Sequence, residues 1–484
     1  MRLQTKHQTP KMRFMNYANM LCKVMNEILI FATNQNNFLK EDFELKRPFF
    51  KSTKLSFSKT VSMLLTGFNA SYNISAFTIA GGVSASSLCE ARYKLKASIF
   101  SKINAFFIQT IRNNTIFNSR FKDKYRILAV DGTTSLLPDN KLVRDSFGTG
   151  SNQHKEYAMA QIVVMVDVLN DWVFGSAIKA YKTAETEVAK TLMFNQTNGT
   201  RFTKAFSDIY VLDKLYGATS LFYQFSREKK YFITPLKEAF SKLVTAFEES
   251  SETSGLVTLK LSERAVTDLK KIGHKVSKKT TIELRLVKGT DMNGLPLTIA
   301  TNILDNQEIT DDEIRELYSL RWGVETTIGR IKNVLRLAHY SGKTPLSIEQ
   351  DFCRKIFLYN LSMLIYTICN FLIKEQESII LENASEEILK EKEKHISELP
   401  RNKRVKKQTT RKMANFVVCK ELAIMAVEEF MEQGKITPEI AMKYIQIGVR
   451  YSLANKPKRS FDRVFKSIFI RGRIFHYMNF KMNT

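Results

Sequence analysis

The chain has 484 residues with 44% hydrophobic content, enough for sizeable cores and more than one ordinary domain requires. Its 74 lysines and arginines against 48 aspartates and glutamates leave a net charge of +26, a self-repelling surplus that calls for a polyanionic partner, nucleic acid first. Five cysteines (Cys22, Cys89, Cys353, Cys369, Cys419) form no Cys-x-x-Cys pair and have no nearby histidine, which argues against a zinc site or disulfide framework and for a reduced, cytoplasmic compartment.

Residues 1–120 read as a helical N-terminal region. The N-terminus is basic but lacks an apolar run ending in small residues, so it does not read as a secretory signal. Apolar residues recur at helical spacing around Met20 to Ile30. Ser58 to Gly67, Ile74 to Gly82 and Ser84 to Leu95 read as three short helices, with Gly81-Gly82 turning into the third. Ser84, Ser86, Ser87, Arg92, Lys94 and Lys96 of that third helix suit a DNA groove, and the trio reads equally as a helix-turn-helix or a plain three-helix cap.

From about residue 121 strand and helix patterns alternate. Tyr125 to Val130 is an apolar strand ending at Asp131. Tyr157 to Val168 and Trp172 to Ala180 are two more, joined by an Asn170-Asp171 turn. A helix capped by Thr183, a short strand ending at Asp213, a helix from Thr219 and a strand Lys230 to Pro235 follow. Three strands, helix, strand, helix, strand is the element order of a ribonuclease-H-like α/β core, in which the first and fourth strands are neighbours. Asp131 and Asp213 would then sit side by side. Residues 238–295 interrupt the pattern as a β-rich insertion, and the core resumes at Leu297 and runs to about residue 347.

Asp311 to Leu337 reads as one helix, N-capped by Thr310 with three acidic residues in its first turn. At about 100° per residue, Leu317, Val324, Ile328, Ile331 and Leu335 form an apolar stripe, and Tyr318, Arg321, Glu325 and Lys332 share an arc about 60° wide beside it. On a random helix such a set is most often a solvated ion-paired face. Residues 348–484 read as a basic helical C-terminal region. Its Ile356 to Ile373 run is apolar, but Asn360, Ser362 and Asn370 favour a buried core helix over a membrane span. The run Arg401 to Lys412 contains no acid, and the tail Lys456 to Lys481 mixes cations with aromatics, so both suit phosphate contact.

The spacing Tyr318-x2-Arg321-x3-Glu325-x6-Lys332 resembles the Tyr-Arg-Glu-Lys signature of bacterial insertion-sequence transposases with a DDE catalytic triad. The likeness continues through Trp322, Ile331-Lys332-Asn333 and the stretch His339 to Pro345. Asp131-Gly132-Thr133-Thr134 is similar to the family's first acidic motif. Asp213-Lys214-Leu215-Tyr216 is similar to the second, usually Asp-x-Gly-Tyr, although here Leu215 takes the glycine position and Gly217 follows the tyrosine. The resemblance covers about Phe77 to Leu361.

It implies a cut-and-paste DNA transposase with Asp131, Asp213 and Glu325 as catalytic and metal-binding acids. Mg²⁺ or Mn²⁺ is the implied cofactor, since a hard cation that activates an attacking oxygen and stabilises the leaving one prefers carboxylates. Double-stranded DNA (terminal inverted repeats and target) is the implied partner, contacted by Tyr318, Arg321, Trp322 and Lys332 and held by a homodimer in the synaptic complex. No membrane is involved. Trp322 resembles a tryptophan that holds a flipped base in the branch of the family with a hairpin intermediate. His154 and His339 read as structural or DNA-contacting. A metal-dependent nuclease that does not join strands and a non-catalytic DNA-binding regulator are the alternatives.

Overall fold

The computed structural model describes residues 10–44, 49, 55–66, 82–112, 114, 117–151, 156–194, 207–291, 294–394 and 412–454. The helix expected over 74–82, His154, nearly all of the basic run 401–412 and the tail 456–481 lie outside the described residues. The chain divides into two compact units, one of Met1–Ile111 with Phe357–Thr484 and one of Arg112–Ile356. The two helical flanks, read from sequence as separate regions, therefore belong to one unit.

The first unit opens with α1 (Pro10–Thr33), α2 (Phe57–Thr66), α3 (Ala85–Tyr93) and α4 (Ser98–Arg112). Helix α4 buries Ile99, Ile103, Phe107 and Ile111, a stripe of i, i+4 spacing. In α3 the groove-facing set expected from sequence is corrected at two positions. Ser84 is the N-cap, its hydroxyl accepting from Ser87 N at 3.1 Å, and Arg92 is buried at 1% exposure, so its charge belongs to the interior.

The second unit is built on a mixed sheet. Strands β1 (Tyr125–Leu136), β2 (Thr149–Ser151), β3 (Glu156–Asp167) and β4 (Trp172–Ala180) are antiparallel neighbours, with helix α5 (Lys141–Phe147) between the first two. Helix α6 (Glu185–Phe194) leads to β5 (Ser207–Val211), α7 (Thr219–Arg227) and β6 (Tyr231–Pro235), and β1, β5 and β6 run parallel. The inserted stretch supplies α8 (Lys242–Glu249), β7 (Ser254–Lys260), α9 (Glu263–Lys271) and β8 (Thr281–Thr290), after which β9 (Pro296–Thr301) pairs with both β8 and β6. The insertion thus prolongs the sheet, whose order is β2-β3-β1-β5-β6-β9-β8-β7 with β4 beside β3.

Strand β1 does not stop at Asp131. Gly132 to Leu136 continue antiparallel to Val163 to Met159 of β3, and this pairing overrides the turn character of Asp-Gly. Alternate residues of the parallel strands face two cores. Leu128, Val130, Tyr210 and Leu212 face one with α7, while Ile127, Ile209 and Val211 face the other with Ile314 and Leu317. Each such buried aliphatic or aromatic side chain contributes about 1.5–3 kcal/mol.

Two helices follow β9 where the sequence predicts one: α10 (Asp311–Ser319) and α11 (Trp322–Asn333). The Thr310 cap is present as a capping box, Glu313 N donating to Thr310 Oγ1 and Thr310 N to Glu313 Oε2. Helix α12 (Pro345–Lys394) starts in this unit and is assigned to the first unit from Phe357 on; α13 (Phe416–Gln433) and α14 (Pro438–Arg450) follow, with a short β10–β11 pair (Lys412–Met413, Leu453–Ala454). The stretch Pro345–Gln376 is long and apolar enough to cross a membrane, and 83% of its most apolar window is buried inside the protein.

Candidate active site

Asp131 lies within β1, and Asp213 lies two residues beyond the end of the neighbouring parallel strand β5. The last register partners of the two strands are Ala129 and Val211, two residues before each acid. Each is positioned by its neighbour's backbone: Asp131 Oδ1 accepts from Gly132 N at 2.9 Å, and Asp213 Oδ1 accepts from Lys214 N at 2.6 Å, capping the 3₁₀ turn Lys214–Tyr216. Thr234 Oγ1 donates to the Asp213 carbonyl at 3.0 Å, pinning that turn to β6.

Glu325 comes from α11, which packs on β1 and β3. Asp131 has the strand parity of Ile127, so it faces the side of the sheet that carries α10. The two helices meet in a tightened turn in which Leu320 N and Arg321 N donate to Leu317 O and Tyr318 O, three residues back, at 3.1 Å each. Gly323 makes this approach possible, because a Cβ there would already stand 3.1 Å from Val168 Cγ1. The break corrects the single helical wheel. Tyr318, Arg321 and Glu325 still converge, but Lys332 lies exposed about two turns further along α11.

Arg321 is the centre of this set. It is only 7% exposed, its Nη1 donates to Glu325 Oε1 at 3.1 Å, and its guanidinium lies 4.4 Å from the centre of the Trp322 ring. Its Nε is buried without a hydrogen-bond partner. Burial works against its charge, while Tyr318, Asp213 and Glu325 favour it strongly enough to raise its pKa. Burial pushes the Asp131 carboxyl up to about 6, and Glu185 and Glu325 add to that shift against Gly132 N and Arg321.

Glu185, in the first turn of α6, is the site residue that sequence reasoning missed. A Cβ on Gly132 would overlap its carboxylate, Tyr216 Oη donates to its Oε1 at 2.8 Å, and Gln161 Nε2 to its Oε2 at 3.4 Å. Local sequence gave only one signal, an acid at a helix start, which any dipole-complementing residue would give. Three carboxylates, Asp131, Asp213 and Glu325, thus act on one buried guanidinium, and Glu185 acts on Asp131. Among the described residues no three acidic, histidine or cysteine side chains come together closely enough to hold a metal ion. The chemistry of the set nevertheless fits a hard divalent cation: clustered carboxylates, one with a raised pKa, are what added positive charge would relieve.

The other expected residues separate clearly. Asp208, another acid on β5, is taken by Arg126, whose Nε and Nη2 donate to it at 2.9 and 2.6 Å, on the opposite face of the sheet from Asp131. Trp172 is core, 3% exposed with Nε1 donating to Phe117 O at 2.9 Å, whereas Trp322 is 37% exposed. The run after His339 is tied into the fold. Tyr340 Oη meets Ser135 Oγ at 3.0 Å, Ser341 Oγ donates to Asp351, and the buried Lys355 ammonium donates to the carbonyls of Arg336, Leu337 and His339.

Residues 122–361, which hold all of these positions, match the family model described as a transposase DDE domain. The match takes up just under half of the chain. The chain is also similar to the transposase InsG for insertion sequence element IS4 of Escherichia coli (strain K12), 22% identical over 241 residues that make up 49% of this chain and 51% of that protein. The chain therefore spans about half the length of this curated relative. A solved chain of the piggyBac transposase synaptic complex with hairpin DNA aligns over 98% of this chain and 91% of its own length at 10% identity, with a TM-score of 0.37, too low to define a shared fold.

Proposed function

We propose that the chain is a cut-and-paste DNA transposase that nicks transposon ends and transfers the freed 3′ strand into target DNA, working from a ribonuclease-H-like core. The single observation that carries this reading is that Asp131, Asp213 and Glu325 all act electrostatically on the buried Arg321 guanidinium. Asp131, Asp213 and Glu325 would hold Mg²⁺ or Mn²⁺, which when bound supplies Lewis acidity and charge neutralisation at the scissile phosphate. Arg321 presents a buried, fixed cation for a backbone phosphate, and the Tyr318 hydroxyl donates to the same strand. Trp322 offers an exposed indole face to an unpaired base, and Lys332 a phosphate contact further along. The net charge of +26 favours a DNA partner throughout. Action as a homodimer in the cytoplasm completes the reading.

The test is a duplex carrying the element's terminal inverted repeat, incubated with the purified full chain and Mg²⁺ beside a target plasmid. Nicks at the repeat boundary and joined products support the proposal. Nicks without joining would leave a nuclease, and binding without nicks a regulator.

A further inference from the structure

A cleft of 830 Å³ lies in the second unit, beginning at Leu215, two residues beyond Asp213. Its walls grow from beyond the carboxyl ends of two adjacent parallel strands, the segment 215–221 after β5 and the segment 237–243 after β6, the edge at which open α/β sheets bind ligands. Strand β7 and helix α9 close the far side.

The lining is strongly one-signed. Lys190, Lys237, Lys242, Lys260 and Arg264 face a single carboxylate, Asp268, which lies 3.9 Å from Arg264. Among the described residues none of the four lysines is ion-paired, so the charge is available to a ligand. The first residues of α7 and α8 and the N-cap of α9, Ser262, line the same space, adding three positive dipole ends. Beside the cations sit Phe240 and two exposed leucines, Leu215 at 47% and Leu243 at 53%.

We propose that this cleft binds a single strand of DNA leaving the active site. The proposal rests on the DNA-cleaving reading above and adds where the separated strand goes. A duplex shows a protein only its phosphates and groove edges, whereas a single strand also exposes base faces that pack on apolar side chains. The pairing of lysines with Leu215, Phe240 and Leu243 matches the second. A volume of 830 Å³ lies within the range of about 300–1,000 Å³ of pockets that enclose small molecules, room for a short single-stranded segment and not for a duplex.

The experiment measures binding of the full chain, in EDTA to prevent cleavage, to a labelled oligodeoxythymidine and to a labelled blunt duplex. The variants are Lys237→Glu with Lys242→Glu, and the same two positions as Arg. The charge-reversed pair should weaken oligodeoxythymidine binding tenfold or more and lower its salt slope by about 1.4, at about 0.7 per lost phosphate contact, while duplex affinity stays within about twofold. The arginine pair should bind as the unaltered chain does. Unchanged oligodeoxythymidine binding, or a parallel loss for both probes, overturns the cleft assignment. Nicking by the unaltered chain is scored separately: its absence rejects the enzymatic reading, and its presence with unchanged oligonucleotide binding rejects the cleft alone.

Discussion

Glu185 lies against Gly132 so closely that any side chain at position 132 would overlap its carboxylate. Gly132→Ala must therefore swing Glu185 away and strand the Tyr216 hydroxyl, a buried polar group whose loss of a partner costs about 1–3 kcal/mol. Unfolding of the single and double variants with Glu185→Ala measures the coupling. Once Glu185 is truncated, Gly132→Ala should cost little more, and strictly additive losses would mean that the two residues are independent.

Asp131→Asn, Asp213→Asn and Glu325→Gln should each abolish nicking and leave end binding largely intact, since the amide keeps the shape and loses the charge that holds a divalent ion. Asp208→Asn should instead lower stability by leaving Arg126 short of its partner, with nicking retained in the folded fraction. Near-normal nicking by Asp213→Asn would refute the assignment of the second acid.

Arg321→Ala and Lys332→Ala should differ. Arg321 is buried against Glu325 and Trp322, so its loss lowers both melting temperature and nicking, and Arg321→Lys should not restore the fork. Lys332 is exposed, so Lys332→Ala should reduce DNA affinity at an unchanged melting temperature. Nicking, melting temperature and Mn²⁺ binding in both variants decide this, and wild-type nicking by both would defeat the positioning role.

Asp167 sets a pH dependence of stability distinct from chemistry. Burial pushes its carboxyl up to about 6, with Arg126 opposing. The folded pKa exceeds the unfolded value of about 3.9, so its contribution is complete below that value and is lost as pH rises through about 6, on the order of 3 kcal/mol. Asp167→Asn should flatten the stability profile between pH 4 and 6, at about these two pKa values, and melt higher than the unaltered chain at neutral pH. Parallel profiles would show that Asp167 is ionised throughout.

Affinity for duplex DNA should fall steeply with salt, at a log-log slope of about −0.9 per neutralised phosphate, several contacts in all for a chain of net charge +26. A nearly flat response would remove the charge argument.

Strands β1 and β5 were legible as apolar runs of period two ahead of Asp131 and Asp213, and the Thr310 cap because its residues are local. The continuation of β1 past Asp131 was not, since Gly132-Thr133-Thr134 has turn composition and only pairing with β3 makes it a strand. The break between α10 and α11 was hidden because an apolar stripe looks the same through one tightened turn. Glu185 meets Gly132 only through strand pairing and helix packing, which no local pattern encodes. The unit made of both chain ends rests on contacts such as Tyr17 with Glu375, 358 residues apart.

That last arrangement orders events during synthesis. The second unit is contiguous, so it is complete once Ile356 has emerged, whereas α1 to α4 wait for the helices after Phe357. Phe107 is left without Phe357 and Asn104 without Asn360 until then. At about 5–20 residues per second the ribosome takes several seconds to deliver the remaining helices, and through that interval the nascent N-terminal helices expose apolar faces. Chaperone demand should therefore come from the N-terminal helices, the second unit folding first and the helical unit last.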